Sequence, residues 1–434
     1  MYDLGIIGGL VYIDHTFQKI NLYIKNEKIQ ALTNEKLPCV KVINAKGRYA
    51  LPGFIDPHVH FSLGSGSRQS KDDFYSGSKE AILGGVTTYI DFLDPIQKVE
   101  ELEEAFNKRM KLASRSLIDF AFHTTIRNPL STAREIISAS KKLGIPSIKL
   151  FTTYSDTDRR TYDGQILKLL EESKKQKVWI VVHAENDDLI LQNEKIFVKD
   201  HELARPALTE NIEVLKLGSM ARATGGNLYI VHVSAGSTVE MMKLVFQKEL
   251  KSKQIVFESC PHYFLLNSEK LSQPDGYKYT MTPPLRAERE RKKLNAHLKD
   301  ITTIGTDHCP FTKEQKEHAY TSEIPMGIGG LRYSFLNMYQ QYGFEVVDQF
   351  TKNVAKIYGL KEKGQLLPGF DADAVIFNPK GQVIVQDEMS VYDGKKLKGA
   401  IETVIARGSM VLEEGNIKAH QGHYIKRGEI SERD

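Results

Sequence analysis

Apolar and polar positions follow one rhythm near the start of the chain and another through its middle. Over the first fifty residues the period is two. Runs at 4–7, 10–13, 20–24 and 28–32 are separated by Gly and Asn, the pattern of a small antiparallel sheet. From residue 51 longer apolar runs take over, at 51–60, 86–92, 118–124, 146–151, 178–183, 227–233, 254–259 and 301–306. Amphipathic helical patterns such as 133–143, 165–175 and 212–223 lie between most of them. Eight strand–helix alternations predict an α/β fold, a (β/α)8 TIM barrel, whose reactive residues gather at the carboxyl ends of the strands. Beyond the eighth run come a Gly-rich loop at 327–330, helical patterns near 331–341 and 346–358, and short strands at 374–377, 382–386, 403–406 and 410–413. Both chain ends are therefore β-rich and are expected to pair into a small β-sandwich beside the barrel. The expected division is 1–50, the first part of that β domain; 51–365, the barrel; and 366–434, the second part and a tail.

Composition narrows the function classes. The 434 residues are 41% hydrophobic and 26% charged, with a net charge of +4 spread along the chain. The densest basic stretch, 286–293, is interrupted by Glu288 and Glu290 and reads as a solvated helix face. A coherent basic surface for nucleic acid is absent from the pattern. No apolar run approaches the roughly 20 residues that span a membrane. The first residues lack a basic leader, so no secretory signal is expected. Three cysteines, Cys39, Cys260 and Cys309, make no disulfide framework, and a reducing, cytoplasmic setting is the default.

The most informative stretch is GFIDPHVHF at 53–61. An apolar run ends there in two histidines at i and i+2, which on a strand point to the same side with Cα atoms roughly 7 Å apart. Alone, such a pair is better explained by one core and one surface imidazole. The other strand ends change this. Strand 4 carries Lys149 in an apolar run, strand 5 ends in His183, strand 6 in His232 and strand 8 in Asp307. Together with His58 and His60 they would converge on one rim, where imidazole and carboxylate suit a transition metal. An inward lysine would lose solvation as an ammonium. It could pair with an acid, or react as the free amine with CO₂. The resulting carbamate has two anionic oxygens, enough to bridge two divalent cations.

This set resembles the amidohydrolase superfamily, and within it the cyclic-amidase branch of dihydropyrimidinases (hydantoinases), dihydroorotases and allantoinases. The resemblance runs the length of the chain, through KDDFYSGSKEAILGGVTTYIDF (71–92), FAFH (120–123), HAEN (183–186), ARPALTE (204–210), ESCPHYFLL (258–266), MTPPLR (281–286), GTDHCPF (305–311) and 353–379. It implies that His58, His60 and Asp307 hold one metal and His183 and His232 the other, with carboxylated Lys149 between them. It further implies Zn²⁺ as the usual metal, with Mn²⁺ or Co²⁺ accepted. Asp307 would be the proton shuttle, and Tyr154 the donor to the developing oxyanion. The implied substrate is a small cyclic amide, opened to an N-carbamoyl amino acid, in a homo-oligomer, a tetramer or a dimer.

Some positions depart from the family. Dihydroorotases follow HxH with an arginine, where this chain has Phe61-Ser62. Hydantoinases have serine before the PP of MSPP, where Thr282 keeps the hydroxyl and adds a methyl. Their PNG loop is IPMGIGG here, with Met326 in place of the asparagine, and a thioether cannot replace a primary amide. Arg332, just after that loop, is a candidate to grip a substrate carboxylate, and its alternative is a surface arginine at a helix start. Arg68, in the loop 64–68 at the expected mouth, is a second candidate for an anion. The expected reaction is thus metal-dependent hydrolysis of a hydantoin- or dihydropyrimidine-type ring. Alternatives are a dihydroorotase- or allantoinase-like enzyme for a carboxylated or modified ring, and a non-catalytic scaffold, which the full set of ligand residues opposes.

Overall fold

The computed structural model describes residues 1–64, 66–191 and 195–430. At its centre eight parallel strands run side by side in chain order: β1 (Phe54–Asp56), β2 (Val86–Phe92), β3 (Asp119–Thr125), β4 (Ser147–Phe151), β5 (Trp179–His183), β6 (Leu228–Ile230), β7 (Ile255–Ser259) and β8 (Thr303–Ile304). The ring closes just past β1 and β8, where Val59 bridges His308 and the His60 amide donates to the His308 carbonyl at 2.9 Å. Every residue of β2, β3 and β5 is buried. Strands covered on both faces read as continuous apolar runs rather than alternating ones, which is why the barrel strands were legible. The surrounding helices bury one stripe each. In Ala133–Lys142, Ile136 and Ile137 face inward, Thr132 and Glu135 form a capping box, and Lys141 and Lys142 lie in the last turn. That placement of acid and base complements the helix dipole.

The run expected as one strand at 51–60 is two. Tyr49–Pro52 pairs antiparallel with the strand Ala374–Ile384 in a seven-stranded sheet, with Leu51 opposite Val375, and only Phe54–Asp56 enters the barrel. Gly53 marks the crossing, where a Cβ would stand 2.3 Å from Thr87 Oγ1. The seven-stranded sheet faces a four-stranded one made by Tyr2–Ile7, Asn21–Lys25, Lys28–Thr33 and Cys39–Asn44. Leu4, Ile6, Leu22, Ile24, Ala374 and Ile405 belong to the apolar core shared by the two sheets, so chain segments from both ends form the sandwich.

The end of the described chain returns to the barrel. The Phe120 amide donates to the His423 carbonyl at 3.0 Å, and the Ile425 amide to the Phe120 carbonyl at 2.7 Å. Buried Arg427 donates to the Phe122 carbonyl and, at 2.7 Å, to Ser147 Oγ. The helix Lys352–Tyr358 closes the same end of the barrel, its Ile357 carbonyl accepting from Trp179 Nε1 at 2.8 Å. With its amino end plugged, the barrel opens at the carboxyl ends of its strands.

Candidate active site

At that open end lies a cavity of about 480 Å³. His58, His60, Lys149, His183, His232 and Asp307 line it, together with Tyr154, Thr282 and Met326. Strand geometry explains the convergence. Pro57 and Val59 separate the two histidines from β1, and Asp56 accepts from the His58 amide at 2.9 Å and the Thr306 amide at 3.2 Å, tying the ends of β1 and β8 together. His232 and Asp307 both have left-handed backbone, φ 39° and 51°, just where β6 and β8 end. Strain of this kind at non-glycine residues clusters at functional sites.

His58 Nδ1 lies 2.7 Å from Glu258 Oε1, and the other oxygen of that carboxylate accepts from Tyr229 at 2.7 Å. The His58 ring is thereby turned so that Nε2 faces Asp307 Oδ1, at 3.2 Å, while His60 Nε2 approaches the same oxygen at 3.0 Å. His58, His60 and Asp307 each offer a ligand atom within 4.8 Å of the others. Burial works against the charge of His58, but the Glu258 and Asp307 carboxylates outweigh it and raise the ring to about 9. Burial pushes His60 down to about 4. Burial would raise the Asp307 carboxyl, yet the two facing rings hold it well below the usual range.

His183 is fixed in a matching way. Its Nε2 lies 2.8 Å from Glu185 Oε2, and Arg205 clamps Glu185 with contacts of 2.7 and 3.2 Å. Its Nδ1 faces His232 Nε2 at 3.1 Å. Burial depresses both rings and leaves them neutral, the state in which imidazole binds a metal. With Glu185 accepting from Nε2, the His183 Nδ1 lone pair points at another ring nitrogen. His60 Nδ1 and His232 Nδ1 are buried with no hydrogen-bond partner among the described residues. Facing ring nitrogens and a carboxylate oxygen shared by two imidazoles are a donor set that suits divalent cations.

Lys149, in the middle of β4, is 2% exposed and makes no hydrogen bond or ion pair with any described residue. Its Nζ lies 5.4 Å from the Phe92 ring and 5.2 Å from the Phe151 ring. Desolvation lowers it to about 8. The alternative of an acid partner therefore finds no acid within ion-pair reach among the described residues.

Tyr154 sits in left-handed backbone at φ 68°, its ring 5.4 Å from that of His183, and it lines the cavity together with Thr282. Arg332 stands elsewhere. Its side chain is 44% exposed, 3.9 Å from Glu80, on a separate hollow behind the 327–330 loop. The expectation that it reaches the substrate cavity is corrected: the Gly-rich loop turns it outward at the start of the helix Ser334–Tyr342. Ser62 is tied by its amide to the Asp72 carbonyl at 2.8 Å and does not line the cavity. Ser65, in the loop carrying Arg68, lies outside the described residues. Sequence reasoning passed over Glu258, Glu185 and Arg205, although ESCPHY and HAEN contain the two acids, Glu258 within β7 and Glu185 two residues after His183.

A barrel that gathers imidazoles, a carboxylate and a buried lysine on one cavity has a donor set suited to a metal-dependent hydrolase. The amidohydrolase family profile matches residues 49–411, and the chain belongs to that family, which is metal-dependent. It is 30% identical to a D-hydantoinase of Ralstonia pickettii over 98% of this chain and 99% of the relative. It is 31% identical to a D-hydantoinase of Geobacillus stearothermophilus, over 97% and 96%. The crystal structure of a dihydropyrimidinase from Brevibacillus agri superposes with a TM-score of 0.93 at 28% identity, covering 99% of this chain and all of that one.

Proposed function

We propose that this protein opens a cyclic amide of hydantoin or dihydropyrimidine type by hydrolysis, releasing an N-carbamoyl amino acid. The observation that carries this reading is the gathering of His58, His60, His183, His232, Lys149 and Asp307 on one cavity. His58, His60 and Asp307 would hold one divalent cation, His183 and His232 a second, and Lys149, carboxylated by CO₂, would bridge them. Zn²⁺ suits the donor set best, and Mn²⁺ or Co²⁺ fit it too. Cations held there supply Lewis-acid polarisation of the amide carbonyl and a water acidic enough to attack near neutral pH.

The chain's own residues do the rest. Asp307 accepts the proton of the attacking water on its carboxylate and delivers it to the leaving ring nitrogen. The Tyr154 hydroxyl donates to the carbonyl oxygen as negative charge builds there. Glu258 and Glu185 hold the imidazoles in the tautomer that directs a lone pair inward. Apolar walls keep bulk water from competing with the ring.

Protein reconstituted with Zn²⁺ and assayed on hydantoin, dihydrouracil, dihydroorotate and allantoin tests the reading. Hydantoin or dihydrouracil should be opened, with activity lost to a chelator, and Asp307→Asn should lower kcat by about 10²-fold or more. Turnover confined to dihydroorotate or allantoin would contradict it. We further propose self-association through Leu203, Leu208 and Ile212, large apolar side chains left 70%, 53% and 41% exposed on neighbouring helical turns.

A further inference from the structure

We propose that the preferred substrates carry an anionic group at the end of the ring substituent, read by Arg159 and Arg68 at the cavity mouth. This rests on the cyclic-amide reading above and specifies its substrate class. The cavity volume, about 480 Å³, falls in the range that encloses a ligand larger than a bare five- or six-membered ring. Its floor is the polar cluster already described, and Leu63, Phe92, Phe151, Ile324 and Met326 make its walls apolar. The substrate thus has room for a ring at the floor and a carbon chain along the walls. Both arginines line the cavity and are exposed, whereas His58, Lys149, His183 and His232 are buried, which puts the arginines on its solvent side.

Neither guanidinium has a carboxylate within ion-pair distance among the described residues, unlike their neighbours. Arg160 pairs with Asp187 and Asp188 at 3.4 and 3.1 Å, and Arg127 with Asp158 at 3.4 Å. Arg159, between two residues engaged elsewhere, is left facing the cavity. Its amide donates to the Tyr154 carbonyl at 3.0 Å, so it rides on the same turn as the tyrosine of the site. Arg68 is held across the mouth by Nη2 donating to the Ser322 carbonyl at 2.9 Å. The acids on the cavity are engaged: Asp94 pairs with Lys108, and Asp307 with His58 and His60. Asp156 faces the adjoining hollow. Two uncompensated positive charges over low-dielectric walls concentrate a positive potential where the substituent ends. A carboxylate fits a guanidinium fork, as does a phosphonate.

The test compares kcat/KM on hydantoins substituted at carbon 5 with 2-carboxyethyl, 2-carbamoylethyl or 2-phosphonoethyl groups, with unsubstituted hydantoin alongside. The carboxylate should exceed the isosteric amide about fivefold or more, mostly through KM, and the advantage should shrink at high salt. In Arg159→Gln/Arg68→Gln the ratio of the two should approach one, and Arg159→Lys should retain part of it. The phosphonate arm separates a general anion site from one shaped for carboxylate. Equal kcat/KM for carboxylate and amide in the unaltered protein, or a preference that survives the double substitution, would overturn the inference while leaving ring opening intact. Failure to open any of the rings, unsubstituted hydantoin included, would instead overturn the reading on which it rests.

Discussion

Glu258 shows how much of this site depends on residues that never touch the reacting atoms. One oxygen holds His58 Nδ1 and the other accepts from Tyr229, so the imidazole has a single orientation. Partners of this kind govern metal affinity as well as ring geometry. Glu258→Gln should weaken Zn²⁺ binding by about 10- to 100-fold, read by competition with a chromophoric chelator. Unchanged affinity would mean that the acid serves only the barrel core. The ligand candidates were legible because the histidines and Asp307 end apolar runs and Lys149 interrupts one, and strand position decides which way such a residue points. Orientation at loops was not legible. Arg332 and Arg159 are both loop arginines near family motifs, yet one faces Glu80 and the other the cavity. Local sequence carries no period that separates them.

At the scale of elements, the barrel strands were readable and their limits were not. An apolar run contains no mark where it leaves one sheet for another, so 51–60 reads as a single strand although Gly53 divides it. The division follows from packing, because Thr87 and Asp373 leave no space for a side chain at the crossing. Gly53→Ala should therefore cost about 1–3 kcal/mol, seen as a lower urea midpoint without change in the far-ultraviolet spectrum. A midpoint equal to that of the parent protein would show that the crossing relaxes freely. The last barrel strand is only Thr303–Ile304, and side-chain bonds from Asp56 supply what its short ladder lacks.

Across the whole molecule, the barrel and the sandwich are joined by a buried ionic cluster invisible to pattern reading, since its members are distant in the chain. Lys363 Nζ contacts Asp119 at 2.6 Å, Asp373 at 2.8 Å and Asp371 at 3.0 Å, and Arg407 reaches Asp119 at 3.1 Å. Lys363→Met would leave buried carboxylates without their central cation and should destabilise the fold by about 3–5 kcal/mol, measured by chemical denaturation. Little or no change would show that Arg407, together with Lys28, whose Nζ lies 2.6 Å from Asp371, suffices. Self-association belongs to this scale too. Leu203→Glu/Leu208→Glu should lower the molar mass in analytical ultracentrifugation, and an unaltered mass would place any interface elsewhere.

The proposed reaction depends on a paired-cation centre at the carboxyl end of the barrel, which Lys149 would span. Metal content per chain, measured by plasma mass spectrometry on protein reconstituted with Zn²⁺ and bicarbonate, tests that centre most directly. The account predicts close to two equivalents in the unaltered protein and at most one in Lys149→Ala. Equal metal content in the two proteins, or none in either, would contradict it.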